Sequence, residues 1–149
     1  MSEYPERYPC DCCKYETLTE GYGSYEICYL CEWENDDNYS WRYPEKTIGG
    51  ANHDYSLREA SENFKKYYVM YRVAQPEKYY TIFKDVIEVK KKIIQILDVI
   101  EHYKKQNKLE HQIDLEYIKL TFAIKELQDA KNSTPYTLNA FSGDIQKRN

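Results

Sequence analysis

The sequence predicts an α+β fold: a small β unit, then an α-helix, then a long antiparallel helical hairpin. Three observations predict it. Cys10, Cys13, Cys28 and Cys31 stand as two C-x-x-C pairs with fourteen intervening residues, close to the spacing of a zinc ribbon. Ser56-Leu57-Arg58-Glu59 reads as a capping box, which starts a helix. Beyond Pro76 the apolar residues recur at three- and four-residue steps, interrupted at Gln106-Asn107. The chain of 149 residues therefore divides into a cysteine-rich module at 1–73, a helical hairpin at 74–133 and an irregular tail at 134–149.

The β unit rests on its cysteines. Zinc takes four thiolates in a tetrahedron, and four cysteines leave no open position for water or substrate, so one closed, structural zinc ion is expected. Between the pairs, Gly21-Tyr22-Gly23-Ser24 is a turn signal flanked by strand-type residues at 16–19 and 25–27. So small a unit buries too little surface to fold alone, and structural zinc contributes about 10–16 kcal/mol in such domains. The C-x-x-C register makes Cys10 and Cys13 a pair and leaves the adjoining Cys12 as a free or neighbouring thiol.

Residues 34–54 are polar and acidic, contain Pro44 and Gly49-Gly50, and read as a loop. Asn35-Asp36-Asp37-Asn38 lacks the alternating ligands, the glycine and the terminal glutamate of a calcium loop. Charge is unevenly distributed. Residues 1–55 hold 12 acidic and 4 basic side chains, net −8, and residues 56–149 hold 13 and 17, net +4. An acidic ribbon repels nucleic-acid phosphates and suits a basic protein partner. Glu32, Trp33, Glu34, Asp36, Asp37, Tyr39, Trp41 and Tyr43 combine aromatic anchors with steering charges, and form the candidate partner surface.

In the first helix Leu57, Ala60, Phe64, Tyr67 or Tyr68, and Tyr71 make an apolar stripe, with Arg58, Lys65 and Arg72 on another face. Pro76 suits the first turn of the next helix. Its apolar face runs through Ile82 or Phe83, Val86, Val89, Ile93, Ile96 or Leu97, Ile100 and Tyr103. A third helix starts near Leu109, with Ile113, Tyr117, Leu120, Ile124 and Leu127 in heptad-like steps and Leu115, Ile118 and Phe122 widening the face. Two helices leave apolar area uncovered, so the Ser56 helix, the tail or a second chain must close the core.

His53, His102 and His111 form no metal-binding pattern, and neither a phosphate loop nor a serine nucleophile elbow is present. No enzymatic activity is expected. The start of the chain has no basic and apolar leader pattern, and the five cysteines fit a reducing compartment better than a disulfide framework, so a cytoplasmic location is expected. The seventeen tyrosines are read chiefly as codon usage.

Tyr8-Pro9-Cys10-Asp11-Cys12-Cys13, Gly23-Ser24-Tyr25-Glu26-Ile27-Cys28, Cys31-Glu32-Trp33-Glu34 and Gly49-Gly50-Ala51-Asn52, leading to Ser56-Leu57-Arg58-Glu59-Ala60, follow one another in the order of a known pattern. On these motifs the chain resembles the bacterial cysteine-rich CPCC family over about residues 8–68, with the hairpin added. The resemblance implies a zinc-binding module and no particular chemistry. It departs from the pattern at Asp11, Lys14 and Tyr29, where the family has Pro, Gly and Pro, residues that tighten knuckles.

The leading expectation is a zinc-stabilised protein-binding module, of the immunity or antitoxin type that neutralises a basic toxin. A nucleic-acid or transcription-related role would use Arg58, Lys65, Arg72 and Lys90-Lys91-Lys92. A structural role would be a homodimer built through the hairpin.

Overall fold

The computed structural model describes residue 4, residues 6–21 and residues 23–148; Tyr22 of the expected turn lies outside the described residues. Strand β1 (Tyr8–Pro9) pairs antiparallel with β2 (Glu16–Leu18), so the first C-x-x-C forms the tip of its own hairpin. The second pair sits in the same way between Ile27 and Glu34, which form an antiparallel bridge. This differs from the hairpin that the turn signal at Gly21–Ser24 predicts, in which the segments flanking that turn pair with each other. Local closure prevails: Cys10 N donates to Tyr15 O at 2.9 Å and Cys28 N to Trp33 O at 3.0 Å. The segment between knuckles is held by a side chain, since the Glu26 carboxylate accepts from Thr19 N and Glu20 N at 2.9 Å.

The expected loop at 34–54 is more structured than its composition suggests. Asp36 accepts from Ser40 N and from Ser40 Oγ, at 3.2 and 2.7 Å, which starts a short helix, α1 (Tyr39–Arg42). Asn52, in a 3-10 turn at Gly50–Asn52, takes Glu34 N on its Oδ1 and gives its Nδ2 to Glu34 O, both at 2.9 Å. Its amide thus substitutes for a paired strand.

Helix α2 (Leu57–Tyr67) starts at Ser56, whose Oγ accepts from Glu59 N at 3.1 Å, and buries Leu57, Ala60 and Phe64. Only half of the capping box forms, because the Glu59 carboxylate turns to Arg72 at 2.6 and 2.8 Å. Tyr68 ends the helix in the left-handed region, at φ 62. The chain then runs along the second knuckle, with Met70 N on Cys31 O at 3.0 Å.

Pro76 opens α3 (Pro76–Ile82) at its first turn, but the expected continuous helix breaks at Phe83 before α4 (Lys84–Lys105). Tyrosines explain the break. Tyr79 and Tyr80 donate to the carbonyls of Tyr67 and Lys66 at the end of α2, at 2.5 and 2.7 Å, and their rings cluster with Tyr67 and Phe83. Part of the tyrosine excess therefore has a packing role that composition did not reveal.

Gln106 caps α4, and α5 (Glu110–Ser133) returns along it. At 1.5 Å per residue the arms are about 33 and 36 Å long. Ile93, Leu97 and Ile100 share one buried cluster with Tyr117, Leu120, Ala123, Leu127 and the cysteines of the knuckles, so module and hairpin have a common core. Tyr4 adds a ring stacked on Tyr117 at 5.1 Å. No helix among the described residues is long and apolar enough to cross a membrane.

The tail is not irregular. Strands β3 (Tyr136–Leu138) and β4 (Ile145–Lys147) form an antiparallel hairpin, and Leu138 and Ile145 pack on a second buried cluster of Val69, Tyr79 and Ile87. Asn139 Oδ1 organises the turn by accepting from Phe141 N and Ser142 N at 2.9 Å. Gly143 lies so close to the module that a Cβ there would sit 2.5 Å from Arg72 O, and its φ of 78 also requires glycine.

Candidate metal centre

Each knuckle is a tight turn closed by one backbone bond. Lys14 N donates to Cys10 O at 2.8 Å, and Glu32 N donates to Cys28 O at 2.9 Å. The closing residues Lys14 and Glu32 both take positive φ, 71 and 75. Lys14 therefore keeps this geometry at a local cost, on the order of 1 kcal/mol for a non-glycine residue in that region.

The turns bring the Sγ atoms of Cys10, Cys13, Cys28 and Cys31 within 4.8 Å of one another, all buried. Cys10 and Cys31 sulfurs are 3.5 Å apart, and those of Cys13 and Cys28 3.8 Å. Zinc–sulfur bonds of about 2.3 Å in a tetrahedron put sulfurs about 3.8 Å apart, so the arrangement fits a metal of that size. Polar hydrogens point at the sulfurs. Leu30 N reaches Cys28 Sγ and Trp33 N reaches Cys31 Sγ, both at 3.4 Å, Asn35 Nδ2 reaches Cys10 Sγ at 3.5 Å, and Thr17 Oγ1 lies 3.0 Å from Cys28 Sγ. Such donors orient thiolate ligands and spread their charge. Burial opposes the Cys28 thiolate, but contacts from Cys10, Cys13, Cys31 and Thr17 outweigh it and hold its pKa well below that of an ordinary thiol, while Cys10, Cys13 and Cys31 in the same cluster are pushed above it. The four cysteines can hold a metal ion.

Cys12 stays outside this group, although it is buried. Its carbonyl accepts from Ser61 Oγ at 3.0 Å, which ties the first knuckle to α2.

The expected partner surface is taken apart by the fold. Trp33 is fully buried in the core beside the knuckles, and Asp36 is buried on Ser40, so neither faces a partner. Glu32 turns towards Lys131, 3.8 Å away. Glu34 is half-buried, while Asp37, Tyr39, Trp41 and Tyr43 are exposed. Tyr25 and Ile27 are also exposed, and Ile27 is bridged to Glu34. Asn35 and Asn52, read as loop residues, are buried and structural: Asn35 Oδ1 accepts from Asp11 N at 2.9 Å. Nothing in one-dimensional pattern separates a loop amide that substitutes for a strand from a solvated one.

The basic row is also dispersed. Arg58 pairs with Glu45, while Arg72 lies beyond α2 and binds Asp54 and Glu59 over the Tyr55 ring. Of Lys90-Lys91-Lys92, Lys90 is buried and Lys92 pairs with Glu126.

Residues 8–78 match the family model described as Cysteine-rich CPCC, so this part of the chain is similar to that family. The match reaches past α2 into α3 and leaves α4 and α5 outside it. No curated protein and no solved structure matched the chain.

Proposed function

We propose that this cysteine-rich CPCC module binds one structural zinc ion through Cys10, Cys13, Cys28 and Cys31, and that the zinc-held surface binds a basic protein in the cytoplasm, as an immunity or antitoxin-type partner would. The observation that carries the metal half is the convergence of four buried sulfurs at tetrahedral spacing. Four thiolates around Zn²⁺ add two negative charges to a segment already at net −8. The binding half rests on α1, which raises Tyr39, Trp41 and Tyr43 beside Asp37 on a short helix anchored by the buried Asp36. Aromatic side chains on a fixed support, within a segment of net negative charge, are what a protein-binding surface for a basic partner needs.

The test is kinetic. The protein recovered with the tagged chain from its own cells is expected to be basic, and its on-rate to fall about tenfold or more from low to high salt. A flat salt response removes the electrostatic part of the proposal.

A second reading, a homodimer through the hairpin, is favoured by one observation. Leu115, Ile118 and Phe122 form an exposed stripe on α5, with Phe122 at 72 % exposure, and neither module nor tail covers them. One apolar stripe can pair with its own copy about a two-fold axis. Sedimentation is expected to show a dimer that Phe122→Lys converts to monomer, and a wild-type chain that sediments as a monomer at all concentrations ends this reading.

A further inference from the structure

A cavity of about 120 Å³ lies where the second knuckle, the start of α4, the end of α5 and the tail hairpin meet. Its walls include Phe83, Val86 and Leu138, and its polar groups include Lys90, Lys131, Arg148 and Glu32. Three cations therefore face one carboxylate, in a chain whose net charge is −4. That local excess is opposite in sign to the module that supplies Glu32.

Lys90 is the decisive group. It is 2 % exposed, and its Nζ donates to Tyr68 O at 2.5 Å, at the left-handed cap of α2. An ammonium has three donors, and no acceptor among the described residues takes the other two. Burial lowers its pKa to about 8, so at neutral pH it is still largely a cation. Glu32 only partly offsets the excess, since its carboxylate is already 3.8 Å from Lys131. Buried unshared donors of this kind are costly unless an acceptor reaches them.

We propose that this cavity binds a small organic anion, with its carboxylate on Lys90, Lys131 and Arg148 and a short apolar body against Phe83, Val86 and Leu138. A water occupies about 30 Å³ in the liquid, so the volume suits an acid of about four to six heavy atoms. Arg148, directly after β4, is placed to close the site, because its guanidinium is held on Lys131 O at the rim. The tail hairpin then has a function besides covering apolar residues: it supplies one wall and one cation.

The experiment titrates the full, metal-loaded chain with butyrate, with neutral butyramide of the same shape, and with inorganic phosphate, and follows backbone amide resonances. Butyrate is expected to shift amides near 69–71, 86–90 and 131–138 saturably, with an affinity at least about tenfold above that of butyramide. Arg148→Gln, at an exposed terminal position, is expected to weaken butyrate about fivefold or more while leaving the amide spectrum otherwise folded; Lys90→Met is expected to abolish it. Equal affinity for butyrate and butyramide, no saturation by butyrate, or unchanged binding in Arg148→Gln would each overturn the proposal. Binding of phosphate in place of butyrate overturns the assignment of the apolar body.

Discussion

Cys28→Ser is expected to release the metal and unfold the amino-terminal module, with Cys10→Ser having the same effect. Among the described residues the module has one two-residue and one three-residue strand, two isolated bridges, a four-residue helix and a 3-10 turn before α2, so its backbone pairing is slight. Its centre is the cysteine cluster itself. Cys10, Cys28 and Cys31 are fully buried and share their cluster with Leu18, Leu30, Trp33 and Tyr55, so the side chains that pack this half pack around the sulfurs. Structural zinc contributes about 10–16 kcal/mol in small domains, comparable to the whole 5–15 kcal/mol stability of an ordinary one. Losing one ligand removes much of that term and leaves three buried thiols with nothing to hold them together. The measurement is metal content with circular dichroism: one equivalent of zinc per wild-type chain, none in either variant, and loss of the near-ultraviolet aromatic signal. Far-ultraviolet helix signal should fall less, since α4 and α5 also hold each other. Cys12→Ser is the control, because Cys12 lies outside the ligand group; it should keep both metal and fold. A wild-type chain that is fully folded without metal would overturn the assignment.

What could be read beforehand follows from how local each signal is. The four-cysteine cluster was legible because C-x-x-C is complete within four residues and needs no knowledge of the fold. Ser56, Pro76 and Gln106 act within one helical turn, and they mark the starts of α2 and α3 and the end of α4 as expected. Strand pairing was not local, so β2 was given the wrong neighbour, and β3 and β4 were missed. The tail's signals, Asn139 and Gly143, lie within a six-residue turn whose strands are only three residues each, and their packing against Val69 and Tyr79 depends on residues about sixty to seventy-five positions earlier. Polar burial was the least legible. Asn35, Asp36, Asn52 and Lys90 have the composition of solvated residues, and their partners are carbonyls, amides and hydroxyls that become available only once the chain is folded.

Trp33 and Trp41 bring this distinction to a measurement, since both read as partner anchors in one dimension and the fold separates them. Trp33 is 0 % exposed, and Trp41 is 62 % exposed. Trp33→Ala is expected to destabilise the protein by about 3–5 kcal/mol, the usual cost of emptying a large aromatic site. The cavity would open beside the backbone N–H that Trp33 gives to Cys31 Sγ, so metal affinity should fall with stability. Trp33→Phe should cost much less, because the buried indole Nε1 has no hydrogen-bond partner among the described residues and phenylalanine removes that unsatisfied group while keeping most of the ring. Trp41→Ala is expected to leave stability within about 0.5 kcal/mol. Its effect should appear in binding, with a loss of about 2 kcal/mol or roughly thirtyfold in affinity if the α1 surface is the interface. Denaturant unfolding and partner titration on the same three variants separate the alternatives. Should Trp41→Ala bind normally while Trp33→Ala loses binding only in proportion to its unfolding, α1 is not the interface, and the exposed stripe of Leu115, Ile118 and Phe122 becomes the surface to replace next.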